Sequence, residues 1–449
     1  MTTAHAIDTL IEARWIVPVE PAATVLTDHS IAIANGRIVA ILPTTDARLQ
    51  FVAAHYHKLT DHVLIPGLIN LHTHAAMNLL RGYADDRPLM EWLKGHIWPA
   101  ESRYVSPEFV RDGARLACAE MLKGGITCFN DMYFFPEAVA EAAVSCGMRA
   151  AIGMLVIDFP TAYASDPDDY LAKGLAMRDR LKDEPLLSFT LAPHAPYTLS
   201  NASFEKVIAF ADQLDLPIHL HLHETQDEIE QSLAQYRQRP LARLHELGLT
   251  GPNLIAVHAV HLNPDEQALL AQYGSHIAHC PASNLKLASG FAPVAAMLQH
   301  GLNIGIGTDG AASNNKLDMF DEMRLAALLA KGASGDAATL PAAAALQMAT
   351  LNGARALGLG DEIGSLLPGK YADIVAVELS QLNTLPCYDP IAALVYSAGR
   401  NMVSHVWVNG ELLVDDGQFS RLDERTLKIS AHIWQTRIQS LRLRESHAA

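Results

Sequence analysis

The chain has 449 residues, 50% of them hydrophobic and 18% charged, and a formal net charge of -16. That composition specifies a globular chain with ample length for a large core. An acidic chain without runs of lysine or arginine argues against nucleic acid or an anionic membrane as partner, and a small or cationic ligand fits better.

The five cysteines, Cys118, Cys128, Cys146, Cys280 and Cys387, form no CxxC pair. They suit a reducing cytoplasm and offer no sulfur metal site. The first residues lack a basic stretch followed by an apolar one, so no signal peptide is expected. No apolar run approaches the roughly 18 residues of a membrane span.

Taken in order, 7–42 reads as short strands, with Asn35-Gly36 between two of them. Asn-Gly between short apolar runs is a strong hairpin signal, because both turn residues need positive φ. The same device recurs at Asn409-Gly410, and Tyr371-Ala-Asp-Ile-Val-Ala-Val-Glu is a further strand. Two strand-rich ends around a long middle suggest one small β-sandwich domain built from both termini, over 1–63 and 371–449 with a terminal helix. The alternative is two independent hairpins lying on a larger domain.

The middle, 64–370, alternates strand and helix. Val63-Leu-Ile-Pro-Gly-Leu-Ile-Asn-Leu-His-Thr-His74 is an apolar strand ending in His-x-His. Seven more strands follow, near 125–132, 149–156, 186–194, 216–224, 253–258, 276–280 and 302–309. The helices between them are expected near 106–124, 136–146, 168–181, 203–214, 263–274, 319–331 and 341–357. Ser106-Pro107 and Asn263-Pro264 are N-terminal signals, and Gly124, Gly147 and Gly274 are stops. Eight strand-helix units close as an α/β, TIM-like (β/α)8 barrel, whose active site lies at the C-terminal ends of the strands. No glycine-rich loop follows the first strand, so neither a dinucleotide nor a P-loop site is indicated.

Polar side chains stand at those ends. Side chains alternate along a strand, so His72 and His74 share a face. The fifth strand carries His219, His221 and His223, then Glu224. His221 is the expected ligand, which leaves Glu224 just past the strand end to carry protons. His219 lies roughly 6–7 Å deeper by strand rise and reads as a hydrogen-bonded core histidine. His223 reads as a loop or supporting group. The eighth strand ends in Gly307-Thr-Asp309, and a buried aspartate is costly unless paired or metal-bound. His72, His74, His221 and Asp309 together offer three nitrogens and one oxygen. That set suits one Zn²⁺, with Fe²⁺ or Mn²⁺ as weaker fits.

Pro66-Gly-Leu-Ile-Asn-Leu-His-Thr-His74, His221-Leu-His-Glu224, Val257-His258 and Gly307-Thr-Asp309 resemble the motifs of the amidohydrolase superfamily, end to end along the chain. Binuclear members carry a bridging lysine or carboxylate after strand four. Here His194 stands there, which points to the mononuclear aminohydrolase branch. Met77-Asn-Leu-Leu-Arg-Gly-Tyr-Ala-Asp-Asp86, Pro193-His-Ala-Pro-Tyr197, Asn284-Leu-Lys-Leu287 and Asp309-Gly-Ala-Ala-Ser-Asn-Asn315 resemble the members that deaminate 5'-methylthioadenosine and S-adenosylhomocysteine.

The resemblance implies a hydrolytic deaminase in which Glu224 moves protons and His258 orients the attacking oxygen. Asp309 binds metal and can hydrogen-bond that oxygen, so Glu224 and Asp309 also meet the substrate. Glu101 is implied to accept from ribose hydroxyls, His194 to contact the nucleoside, and Trp92 to stack on it or pack beside it. The arginine that holds a substrate carboxylate in some relatives is missing from Ala151-Ile-Gly-Met-Leu-Val156. That favours the uncharged methylthio nucleoside, with adenosine also acceptable. A homo-oligomer is implied too. Guanine or cytosine deamination, triazine hydrolysis and a non-catalytic scaffold are the alternatives.

Overall fold

A computed structural model describes residues 4–446. Eight strands, Leu68–Thr73, Ile126–Met132, Arg149–Val156, Leu187–Pro193, Ile218–Leu222, Leu254–His258, His276–His279 and Asn303–Ile306, pair in chain order. Every pair is parallel. All eight expected strands are therefore present. Parallel strands are covered on both faces, which is why they read as apolar runs.

The last strand lies against the first and closes the ring. Asp309 N–H donates to His72 O at 3.0 Å, and Thr308 N–H donates to Asn70 Oδ1 at 2.9 Å. Gly307 makes this approach possible: a Cβ there would stand 2.8 Å from the His72 nitrogen. Between the strands, Ser106 Oγ accepts from Phe109 N–H at the start of Pro107–Lys123, and Asn263 forms a full capping box with Glu266. Both starts fall where the sequence places them.

Two expectations need correction. The stretch from Val63 to His74 is not one strand. Val63–Pro66 end the long strand Phe51–Pro66 and pair with Ile374–Glu378, and the barrel strand begins at Leu68. Gly67 is the joint, packed so closely that a Cβ would overlap the Thr127 hydroxyl at 1.9 Å. The helix expected over 341–357 is split into Ala342–Met348 and Leu351–Ala356. Ala349 O accepts from Ile69 N–H of the first barrel strand at 2.8 Å, and Thr350 Oγ1 donates to Leu346 O at 2.6 Å. A carbonyl that serves the barrel is lost to the helix ladder.

The chain ends meet in a second sheet of eight strands, ordered Gln418–Phe419, Glu411–Asp415, Val403–Val408, Ile374–Glu378, Phe51–Pro66, His5–Ile16, Leu26–Ala34 and Arg37–Pro43. Only His5–Ile16 with Phe51–Pro66 is parallel. Both Asn-Gly turns have positive φ at each residue. They belong to one continuous sheet rather than to separate hairpins. A buried ion pair ties this sheet to the barrel's N-terminal face: Arg149 Nε donates to Asp373 Oδ2 at 3.0 Å. The closing helix is Glu424–Ser446. Among the described residues no helix is long and apolar enough to cross a membrane.

Candidate active site

Five side chains converge at the C-terminal mouth of the barrel. The ligating atoms of His72, His74 and Asp309 lie within 4.8 Å of one another, and so do those of His72, His221 and His258. Asp309 Oδ1 is 3.3 Å from both His72 Nε2 and His74 Nε2. Tetrahedral zinc with bonds near 2.0 Å sets neighbouring ligand atoms about 3.3 Å apart, so this spacing fits an ion. His72 Nε2 is buried with no hydrogen-bond partner among the described residues, so its coordinating capacity is not taken up by the protein.

The surroundings orient the rings. His74 Nδ1 lies 2.5 Å from Met132 O, His221 Nδ1 2.7 Å from His194 O, and His258 Nδ1 2.9 Å from Asn284 Oδ1. Each acceptor requires the proton on Nδ1, which leaves the Nε2 lone pair for the centre. Burial pushes the His72 imidazole down to about 4 and that of His221 well below its usual range, so both rings stay neutral. Burial alone would raise Asp309, but the imidazoles of His72, His74 and His258 outweigh it and hold the carboxyl well below the usual range. Asp309 Oδ2 accepts from Ser283 Oγ at 2.6 Å and Ser313 Oγ at 2.7 Å, while Oδ1 accepts from Gly310 N–H. His258 and Asp309 both sit at positive φ, a strain that surrounding structure must over-determine.

Glu224 follows the fifth strand, buried, with Oε1 3.8 Å from His258 Nε2. Burial pushes its carboxyl up, the nearby Asp309 adds to that, and His258 opposes it. Its backbone is pinned by Glu228, whose carboxylate accepts from Glu224 N–H at 2.9 Å and from His223 N–H at 3.0 Å. His223 itself turns away, and its Nε2 accepts from Leu241 N–H.

A cavity of about 420 Å³ opens over the cluster, and Trp92, Glu101, His194, Glu224 and Asp309 all line it. Tyr133 O–H donates to Glu101 Oε1 at 2.8 Å. Burial pushes the Glu101 carboxyl up to about 7, against that hydrogen bond. Burial, with His74 and His72 adding, holds His194 neutral at about 3. The Trp92 indole N–H is buried without a partner among the described residues.

The structure thus brings His72, His74, His221, His258 and Asp309 together and sets Trp92, Glu101, His194 and Glu224 around the same cavity, while His223 faces elsewhere and His219 lies below. It adds supports that were not foreseen: Glu228 behind Glu224, Asn284 behind His258, Ser283 and Ser313 behind Asp309, and Tyr133 behind Glu101. Thr225-x-x-Glu228 is a capping-box string, and it could have flagged Glu228. Ser313 is local to Asp309, four residues on; the others become neighbours only through the fold.

Residues 63–413 match the model of the amidohydrolase family. The chain is 47% identical to the 5-methylthioadenosine/S-adenosylhomocysteine deaminase of Teredinibacter turnerae, over 98% of this chain and 100% of the relative. Among solved structures it is similar to an adenosine deaminase from Xanthomonas campestris with bound zinc, at a TM-score of 0.96 and 51% identity, covering 97% of this chain and 100% of that one. It is also similar to the atrazine chlorohydrolase of Arthrobacter aurescens complexed with zinc, at a TM-score of 0.88 and 26% identity, over 95% and 99%. With its barrel, its converging imidazoles and aspartate, and these likenesses over nearly its whole length, the chain belongs to the amidohydrolase family.

Proposed function

We propose that this chain is a zinc-dependent hydrolytic deaminase that converts 5'-methylthioadenosine to its inosine analogue and ammonia. The observation that carries this reading is Glu224, a buried carboxyl standing over the imidazole–aspartate cluster at the floor of a nucleoside-sized cavity. The names of the full-length relatives support the substrate class.

His72, His74, His221 and Asp309 would hold the ion. Bound there, zinc supplies water that ionises near neutral pH, at a pKa of about 7. Glu224 takes the proton of the attacking water and delivers it to the purine ring nitrogen, then to the departing ammonia. His258, fixed by Asn284, orients the attacking oxygen. Asp309, held by two serine hydroxyls, accepts a hydrogen bond from it. Glu101 accepts from the ribose hydroxyls, and His194 and Trp92 meet the nucleoside.

Leu155, Ile157 and Phe159 line the cavity, and no lysine or arginine is among the described residues that line it. The methylthio group finds apolar walls there, whereas a homocysteine carboxylate finds no cation on those walls. We assign the barrel to 67–370 and the β domain to 4–66 and 371–446, with the first boundary at Gly67 rather than after residue 63. The family resemblance supports a homo-oligomer acting in the cytoplasm. The test is kcat/KM for 5'-methylthioadenosine, S-adenosylhomocysteine and adenosine on zinc-loaded protein. Methylthioadenosine is expected to be preferred over S-adenosylhomocysteine, and a preference for the charged nucleoside would overturn the assignment.

A further inference from the structure

His219 lies one layer below the metal cluster, wholly buried, with its Nε2 2.9 Å from His72 Nδ1. This contact differs in kind from those behind the other rings. His74, His221 and His258 each face an oxygen that can only accept. His72 faces another imidazole, which can accept or donate. Its tautomer is therefore not settled by an obligate acceptor. The second His219 nitrogen, Nδ1, is buried with no hydrogen-bond partner among the described residues, as is His72 Nε2.

Two proton arrangements satisfy the His72–His219 contact. In one, His219 Nε2–H donates to His72 Nδ1, and the single N–H proton of His72 sits on Nε2, which is 3.3 Å from Asp309 Oδ1. That arrangement blocks the lone pair an ion needs. In the other, His72 Nδ1–H donates to His219 Nε2, and His219 carries its proton on Nδ1. Only the second frees His72 Nε2 for coordination.

We propose that His219 is a positioning residue that sets the tautomer of His72, and that zinc binding switches both rings together. Each ring is neutral before and after. His72 Nε2 gives its proton to solvent, His219 Nδ1 takes one from solvent, and the shared proton passes from His219 Nε2 to His72 Nδ1. The pair releases no net proton. A buried N–H without an acceptor is the cost of the metal-ready arrangement. The proposal rests on His72 being a zinc ligand, as in the function proposed above.

The experiment is zinc affinity by chelator competition on metal-stripped protein, with His72→Ala as control. In His219→Leu the ring is replaced by a side chain that cannot accept, and zinc affinity is expected to fall by about ten- to a hundredfold, the range typical of lost supporting hydrogen bonds to metal ligands. In His219→Gln an amide oxygen can take the place of Nε2 as an acceptor, and affinity is expected to return to within about threefold of wild type. A purely structural role would lower thermal stability in both variants without separating their affinities, and would overturn the proposal. Wild-type zinc affinity in His219→Leu would overturn it as well. If His72→Ala keeps wild-type affinity, it is the zinc-site reading that fails, and His219 loses its role with it. Should His219→Leu not fold, two-bond ¹H–¹⁵N spectra of zinc-loaded wild type decide. Protons on Nδ1 of both rings are expected, and a proton on His219 Nε2 contradicts the switch.

Discussion

Glu224 Oε1 and His258 Nε2 face each other at 3.8 Å, closing the fifth and sixth strand ends over the cluster that contains His72 and His221. The gap is too wide for a direct hydrogen bond and leaves both groups free to address a reacting oxygen between them. Glu224 supplies no ligand atom to either candidate group. Replacing it by glutamine keeps the shape and removes the proton transfer proposed for it. Glu224→Gln should therefore bind zinc as wild type does and lose about 10²–10⁴ in kcat, the usual contribution of a general acid–base group. Metal analysis beside ammonia release checks both halves.

Glu101 carries a pH dependence whose sign follows from its environment. Burial lifts its carboxyl to about 7, so the acceptor form is lost as pH falls through that value. From one unit above to one unit below, the ionised fraction falls about tenfold. KM for a nucleoside should rise by a similar factor, about tenfold, over the same window. In Glu101→Gln, KM should be high on both sides and flat. A wild-type pH profile of KM in that variant removes Glu101 from the ribose contact.

The Arg149–Asp373 pair is a matter of stability and not of chemistry. Its side chains are only 6% and 3% exposed, at the barrel face opposite the site. Arg149→Ala strands a buried carboxylate that also accepts from Asn409 N–H at 2.7 Å. A loss of about 3–5 kcal/mol is expected in denaturant titration, while zinc affinity of the folded fraction stays unchanged.

Gly307→Ala probes the seam between first and last strands. The new methyl would stand 2.8 Å from His72 N and 2.9 Å from His72 Cβ. Overpacking of this kind costs about 1–3 kcal/mol, and here the atom displaced belongs to a proposed zinc ligand. Weaker zinc binding should accompany the lower melting temperature. Unchanged zinc affinity would show that the seam yields elsewhere.

Much of this was legible beforehand because parallel barrel strands are apolar on both faces and end abruptly in chemistry. His72-x-His74, His221, Glu224 and Asp309 each interrupt such a run at its C-terminal end. What the sequence hides is whatever depends on two distant segments touching. Hydropathy passes continuously through Gly67, so the joint between sheet and barrel is invisible until Thr127 packs on it. The helix break at Thr350 arises because Ala349 O serves Ile69, and no local propensity announces that. His219 is the hydrogen-bonded core histidine its depth suggests, but strand rise along one strand cannot name His72 across the barrel as its partner.

The most direct measurement is zinc titration of metal-stripped protein, following ammonia release and the change from the adenine to the hypoxanthine absorption band with 5'-methylthioadenosine. One ion gripped by His72, His74, His221 and Asp309 predicts activity that climbs linearly and stops at one zinc per chain, with Asp309→Asn silent throughout. Full turnover before any zinc is added, or none at saturation, would contradict it.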